Sequence, residues 1–286
     1  MFKFFIYKFG QFCVNRLPLP VAYSIASFLS DLHYWFSFRD RRAVKNNLKV
    51  IMGPEADVSF VAREVFRNFG KYLVEFFCMA KNLNGDYIQR NVEIKNLDRL
   101  ENVLKKGKGG IILTAHIGNW EMGGMVLSKL GYCLMGIALP HKERPVNDLF
   151  NQQRQSQGIT VVQTNIAVRR CLEMLKDNGL IALLADRDFS LNGEVMNFLN
   201  RKALIPKGAA VFSVKTLAPI LPTFFIRQAN DRFVLIFEEP IQPPEGTHAD
   251  EEDRYLQLMR RYTDVMEEKI KAYPSQWLMF REFWIK

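Results

Sequence analysis

One stretch constrains the fold more than any other: Gly109-Gly110-Ile111-Ile112-Leu113-Thr114-Ala115, closed by His116 and followed by Ile117-Gly118-Asn119-Trp120-Glu121. The first seven residues form an apolar, β-branched run that reads as a buried strand. Gly107-Lys108-Gly109-Gly110 lacks the Lys-Ser/Thr ending of a phosphate-binding loop and is read as the turn before that strand. Further strands are expected at 132–139, 160–163, 180–185, 220–226 and 233–237, with helices at 122–129, 146–157, 167–177 and 208–216 between most of them. Such alternation predicts an α/β fold with a central, mostly parallel sheet flanked by helices and its chemistry at strand ends. Apolar residues at Val61, Val65, Phe69, Tyr72, Leu73, Phe76 and Phe77 predict a long scaffold helix over 58–82, and a late helix is expected near 250–271. No linker, repeat or low-complexity tract divides the chain, so a single folded domain is expected over 39–286 behind an appendage at 1–38.

That appendage carries only Lys3, Lys8, Arg16 and Asp31 as formal charges. Phe2, Phe5, Ile6, Phe9 and Phe12 recur near helical spacing, as in an amphipathic helix lying in a membrane interface. Pro18 and Pro20 interrupt it. The segment 21–38 approaches the ~20 residues that cross a hydrocarbon core, although Asp31 and His33 oppose a span. No cleavage site suggests a secretory signal. Arg39, Arg41, Arg42, Lys45 and Lys49 follow, and would face anionic headgroups on the cytoplasmic side. The competing reading is a buried helix followed by a solvated basic one. The net charge of +9 points to an anionic partner without choosing it. The four cysteines and four histidines lie too far apart for a disulfide framework or metal site, so no metal and no cofactor are expected.

Chemistry concentrates at His116. On an unbroken helix, residues five apart differ in direction by about 140° and cannot meet. Gly118 permits a bend and Asn119 can cap the new helix, so Glu121 is expected to reach back to the imidazole of His116. A carboxylate on one ring nitrogen fixes the tautomer and strengthens the other nitrogen as a base for a hydroxyl. Asn147 and Arg154, seven apart, share a helix face, and Arg144 lies on the same stretch. These residues are candidates for substrate contact, Arg144 equally for plain solvation. Asp186-Arg187-Asp188 follows a buried strand, which suggests ligand binding by Asp186 and Arg187 or an ion pair of Arg187 with either flanking aspartate. Lys207 in Pro206-Lys207-Gly208 begins a helix, where it caps or faces a phosphate. His33, His141 and His248 are read as structural or exposed.

The segment Thr114-Ala115-His116 to Glu121 resembles the H-x-x-x-x-[D/E] motif of glycerolipid-type acyltransferases, and most closely the lauroyl/myristoyl acyltransferases of lipid A biosynthesis. The resemblance extends over most of the chain. It includes Arg39 to Leu48, Arg67…Gly70…Glu75, Ala185-Asp186-Arg187, Phe198-Leu199-Asn200-Arg201-Lys202-Ala203, Pro206-Lys207-Gly208-Ala209-Ala210 and Pro274-Ser275-Gln276-Trp277. It implies a glycerolipid acyltransferase-like catalytic domain behind N-terminal membrane-anchoring helices, at the cytoplasmic face of the bacterial inner membrane. The implied reaction moves an acyl chain from acyl carrier protein or coenzyme A to a hydroxyl of a lipid A precursor. Neither a G-x-S-x-G elbow nor a cysteine paired with His116 is present, which favours direct attack over a covalent intermediate. His116 and Glu121 would then be the catalytic pair, with Arg154, where the family has a functional arginine, stabilising the oxyanion. Asn119, Arg144, Asn147, Asp186, Arg187 and Lys207 are the expected binding residues. Pro244-Glu245-Gly246-Thr247 resembles a phosphate-binding motif of related enzymes but lacks its flanking Phe and Arg, and is read as a loop. Other acceptors remain open: a lysophospholipid, a mannosylated phosphoinositide or an ornithine-type lipid. A non-catalytic binder of anionic membranes is the alternative from another class, and nucleic acid is not an expected partner because no recognition module is present.

Overall fold

The computed structural model describes residues 2–138, 141, 143–163, 166–188, 192–244 and 250–285. His248 and the Glu245-Gly246-Thr247 segment lie outside them.

Four helices open the chain: α1 (Phe2–Val14), α2 (Leu19–Phe36), α3 (Phe38–Met52) and α4 (Ser59–Asn82). A short α5 (Gly85–Asn91), strand β1 (Val92–Lys95) and α6 (Leu97–Lys105) lead into β2 (Gly110–Thr114). There follow α7 (Trp120–Lys129), β3 (Leu134–Ala138), α8 (Arg144–Gln155), β4 (Thr160–Gln163), α9 (Ala167–Lys176) and β5 (Leu180–Leu184). The antiparallel hairpin of β6 (Glu194–Phe198) and β7 (Arg201–Ile205) precedes α10 (Gly208–Thr216), β8 (Ile220–Arg227), β9 (Phe233–Phe237) and α11 (Glu251–Ala272).

Seven strands form one sheet in the order β1-β9-β8-β2-β5-β3-β4, parallel at every pairing except β8 with β9. The pleat sends neighbouring residues to opposite faces. Thus Ile111, Leu113 and Ile181 join the core under α9, α10 and α11, whereas Ile112, Leu180 and Phe225 join the core under α4, α6, α7 and α8. The expected α/β architecture and mostly parallel sheet are therefore observed. Not anticipated were the short edge strand β1, the helices α5 and α6 on either side of it, and the β6–β7 hairpin.

Among the described residues no helix is long and apolar enough to cross a membrane. α2 instead lies against α4. Asp31, one of the charges that opposed a span, is clasped by two guanidinium groups, Arg63 Nη2 at 2.5 Å and Arg67 Nη2 at 2.8 Å. Those hydrogen bonds hold its carboxyl well below the usual carboxylate range. Gly70 lets the helices touch, because a Cβ there would lie 2.2 Å from Ser30 Oγ and 3.0 Å from the Ala26 carbonyl. The opposite face of α2 is open, with Phe28, Leu29, Trp35 and Phe36 all more than half exposed. Phe5, Ile6, Phe9 and Phe12 of α1 are likewise exposed.

Candidate active site

Register places the two central groups. β2 and β5 are parallel neighbours with Thr114 opposite Leu184, so the chain positions two residues beyond each, His116 and Asp186, emerge side by side at the carboxyl ends of the strands. Asp186 is fully buried. Its Oδ1 accepts from His116 Nδ1 at 2.6 Å, and its Oδ2 accepts from the His116 backbone N–H at 2.9 Å and from Trp277 Nε1 at 3.0 Å. Burial works against charge on Asp186, but the attraction of His116 and Arg187 and the two hydrogen bonds from His116 outweigh it and hold the carboxyl well below its usual range. The ionised carboxylate fixes the proton on Nδ1 and leaves Nε2 as the basic nitrogen. Burial lowers the imidazole pKa below its usual value in spite of the attraction of Asp186. His116 is therefore neutral near pH 7, as a base must be.

Beyond His116 the backbone turns sharply. Gly118 has φ of 62°, and a Cβ there would lie 2.0 Å from the carbonyl oxygen of Phe225, so no side chain fits as the turn crosses β8. Asn119 then caps α7, its Oδ1 accepting from Met122 N–H at 2.9 Å. Its Nδ2 donates to Glu75 Oε2 at 2.6 Å. Glu75 is buried and also accepts from Tyr23 and Arg227. Asn119 is thus a structural anchor, which displaces its expected role in substrate binding.

Glu121 does not hold His116. Its carboxylate is engaged by Arg154, with Nε to Oε2 at 2.9 Å and Nη2 to Oε1 at 2.6 Å. The physical reason is geometric: Glu121 lies on the first turn of α7 facing α8, while the ring nitrogen nearest a carboxylate points across the sheet to β5. Attraction to Glu121 outweighs burial and raises the Arg154 pKa. Both residues nonetheless share one cavity with His116.

That cavity has a volume of about 960 Å³ and extends from His116 between α7 and the sheet, with Ile112, Leu127, Gly136 and Val161 among its lining. Arg187 also lines it, donating from Nη2 to the Leu278 carbonyl at 2.5 Å, with its buried Nε lacking a hydrogen-bond partner among the described residues. Burial pushes its pKa down. The C-terminal segment closes one wall: Leu278 N–H donates to the His116 carbonyl at 2.7 Å, Gly118 N–H to the Gln276 carbonyl at 3.0 Å, and Phe280 and Arg281 face the cavity.

The other expected binding residues stand elsewhere. Arg144 is almost wholly exposed, 4.0 Å from Asp148, because it begins α8 on the solvent side. Asn147 accepts from the His141 backbone N–H at 3.2 Å and does not reach the cavity. Lys207 pairs with Glu194 of the hairpin at 3.0 Å, also away from the cavity. Asp186 holds His116 and, fully buried, is not among the residues lining the cavity. His33 and His141, read as structural or exposed, both line the cavity, His33 bonded to Asp40 at 3.2 Å. Sequence reasoning missed Trp277 as a partner of Asp186, and missed Glu75 as the anchor of the α7 cap. Both residues sit in the motifs that carry the family resemblance, which marks them without showing what they touch. Among the described residues no cluster of His, Cys, Asp or Glu could hold a metal.

Comparison with known proteins follows the same line. The chain is 24% identical over 98% of its length to a phosphatidylinositol mannoside acyltransferase of Mycobacterium tuberculosis (strain CDC 1551 / Oshkosh), covering 87% of that protein. A protein of the same description from Mycolicibacterium smegmatis is also 24% identical, over 98% of this chain and 90% of its own length. A lipid A biosynthesis palmitoleoyltransferase of Escherichia coli K12 is 23% identical over 92% of this chain and 84% of its own length. The model of the bacterial lipid A biosynthesis acyltransferase family matches residues 1–286 in full, and the chain belongs to that family and is an acyltransferase.

Proposed function

We propose that this acyltransferase moves a fatty acyl chain from a thioester donor, acyl carrier protein or coenzyme A, to a hydroxyl of a glycolipid, with a lipid A precursor as the first candidate acceptor. The observation that carries the proposal is geometric: His116, its Nδ1 2.6 Å from Oδ1 of buried Asp186, lines a largely apolar cavity. The cavity takes the acyl chain. Nε2 of His116 removes the proton of the acceptor hydroxyl as its oxygen attacks the thioester carbonyl. Asp186 stabilises the resulting imidazolium, which then returns its proton to the leaving thiolate.

The tetrahedral oxyanion needs a fixed positive donor. Two guanidinium groups line the cavity. The charge of Arg154 is already offset by Glu121 in a direct pair, whereas Arg187 feels the charge of Asp186 without a hydrogen bond to it, and its buried Nε has no hydrogen-bond partner among the described residues. Arg187 takes the oxyanion in this reading, and the Glu121–Arg154 pair ties α7 to α8 around the donor.

The exposed apolar residues of α1 and α2, with Lys8, Arg16, Arg39 and Arg42 exposed nearby, favour seating in the anionic cytoplasmic leaflet of the bacterial inner membrane. Relatives named for phosphatidylinositol mannoside match slightly more of the chain than one named for lipid A, which favours a mannosylated phosphoinositide as the second acceptor to try.

The test is transfer of radiolabelled acyl chain by full-length enzyme in membranes, offered a lipid A precursor, a phosphatidylinositol mannoside and a lysophospholipid. His116→Ala should lower transfer about 10²- to 10⁴-fold, the range for general-base catalysis. Undiminished transfer by this variant would remove His116 from the mechanism.

A further inference from the structure

Three glycines line the cavity, Gly123, Gly124 and Gly136, and they are glycine for different reasons. A Cβ on Gly123 would lie 2.9 Å from Phe225 Cβ, so this residue keeps α7 close to β8. Gly136 has no such need. It sits in β3, an interior strand, outside the left-handed region, and a Cβ there would meet only Ile159 Cγ2, at an ordinary 3.8 Å. Gly124 is similar, with Ile159 Cδ1 and Leu134 Cδ2 at 3.4 Å. Glycine within a strand costs about 0.5–1 kcal/mol relative to alanine, and here neither backbone nor packing calls for it. What it supplies is space.

The register shows where that space lies. Ile112 pairs with Ala182, Ala182 with Gly136 and Gly136 with Val161, and all four line the cavity on the α7 face. This row is four residues along β2 from His116, or roughly 13 Å at ~3.3 Å per residue. Leu134, two residues deeper on β3, also lines the cavity, which places it roughly 20 Å from the base. Ala182 and Gly136 are the smallest members of the row, and they form its low point under α7.

We propose that Gly136, with Gly124 beside it, sets the length of acyl chain the enzyme accepts. The gap they leave lets a chain pass the row and end against Leu134 and Ile159, which suits a palmitoyl group and leaves an octanoyl group short of the row. This rests on the reading that the cavity holds the donor's acyl chain.

The experiment offers full-length enzyme decanoyl, lauroyl, myristoyl and palmitoyl donors, and compares wild type with Gly136→Ala, Gly136→Leu and Gly124→Val. A parallel readout is the rise in melting temperature on adding palmitate or decanoate. The ratio of palmitoyl to decanoyl transfer should fall about tenfold or more in Gly136→Leu, on the scale of one misfitted methylene or more in an apolar pocket, and less in Gly136→Ala. Palmitate should stabilise wild type and not Gly136→Leu, while decanoate stabilises both. An unchanged ratio, or equal stabilisation by palmitate in folded variants, overturns the proposal. Should Gly136→Leu fail to fold, Gly136→Ala and Gly124→Val carry the same test. Failure of wild type to transfer any chain would count against the reaction and not against the chain-length role, which the fatty-acid readout judges separately.

Discussion

Burial and Asp186 pull the imidazole of His116 in opposite directions, and the difference is measurable. On the proposed mechanism the active base is the neutral ring, and because burial lowers its pKa the acidic limb of kcat/KM should lie below pH 6.5, the ordinary histidine value. Asp186→Asn removes the influence that raises that pKa. The limb should therefore move to still lower pH, while the plateau falls about 10²- to 10⁴-fold because the amide no longer stabilises an imidazolium. A pH–rate profile of both proteins checks this, and a limb that moves upward would contradict the assigned partner. The same pair shows what a sequence can reveal of a site. His116 was legible because an apolar strand ended on it and a glycine and a capping residue followed. Its partner was expected at Glu121 because local spacing exposes only near neighbours, whereas Asp186 reaches it through the β2–β5 register, 70 residues on.

The first helix of the N-terminus was legible as amphipathic because its apolar residues recur at helical spacing, whereas 21–38 read as close to a membrane span; α1 and α2 both leave apolar faces open. The hairpin was harder to read. Buried Met196, Phe198, Ala203 and Ile205 alternate with more open residues, but the turn is made by Leu199 and Asn200 with φ of 49° and 61°. That geometry normally advertises itself with Asn-Gly, and Leu-Asn carries no such signal. The exposed faces of α1 and α2 lead to a prediction. Phe9 is 70% exposed and Phe28 63%, so replacing either by Ser leaves the fold intact. If the faces enter the lipid, each change gives up about 1.5–3 kcal/mol of apolar burial, or roughly ten- to hundredfold in vesicle partitioning. Co-sedimentation with vesicles of anionic lipid should show that loss. Replacing Arg39 and Arg42 by Gln should cost about 1 kcal/mol each at low salt and little at high salt. Equal sedimentation of all variants would place the membrane contact elsewhere.

Both ends of the chain converge on the strand ends that carry the site, one through a buried polar network and one through the C-terminal wall. Glu75 of α4 accepts from Tyr23 of α2, from Arg227 of β8 and from Asn119, whose cap starts α7. The Tyr23 hydroxyl is pushed far above its usual pKa, by burial first and then by Glu75, so it stays a donor across the working range. Arg227 lies almost wholly inside, and its side chain in turn reaches Asp231 at 3.2 Å. Breaking such a buried pair on one side costs about 3–5 kcal/mol, because a desolvated charge remains, while replacing both partners by apolar groups is often neutral. Glu75→Gln should therefore lower denaturant stability by about 3 kcal/mol or more, and Glu75→Leu with Arg227→Met should recover only part of that loss, because the Tyr23 hydroxyl and the Asn119 amide lose their acceptor. Activity should separate from stability in the double variant. Asn119 would keep its cap on Met122 but lose the carboxylate that fixes its amide, so the turn carrying His116 is less well held, and a small misplacement of a reacting group can cost 10²-fold. Partly recovered stability with a kcat still reduced, KM little changed, is the expected result; full recovery of both would make the network a matter of folding alone.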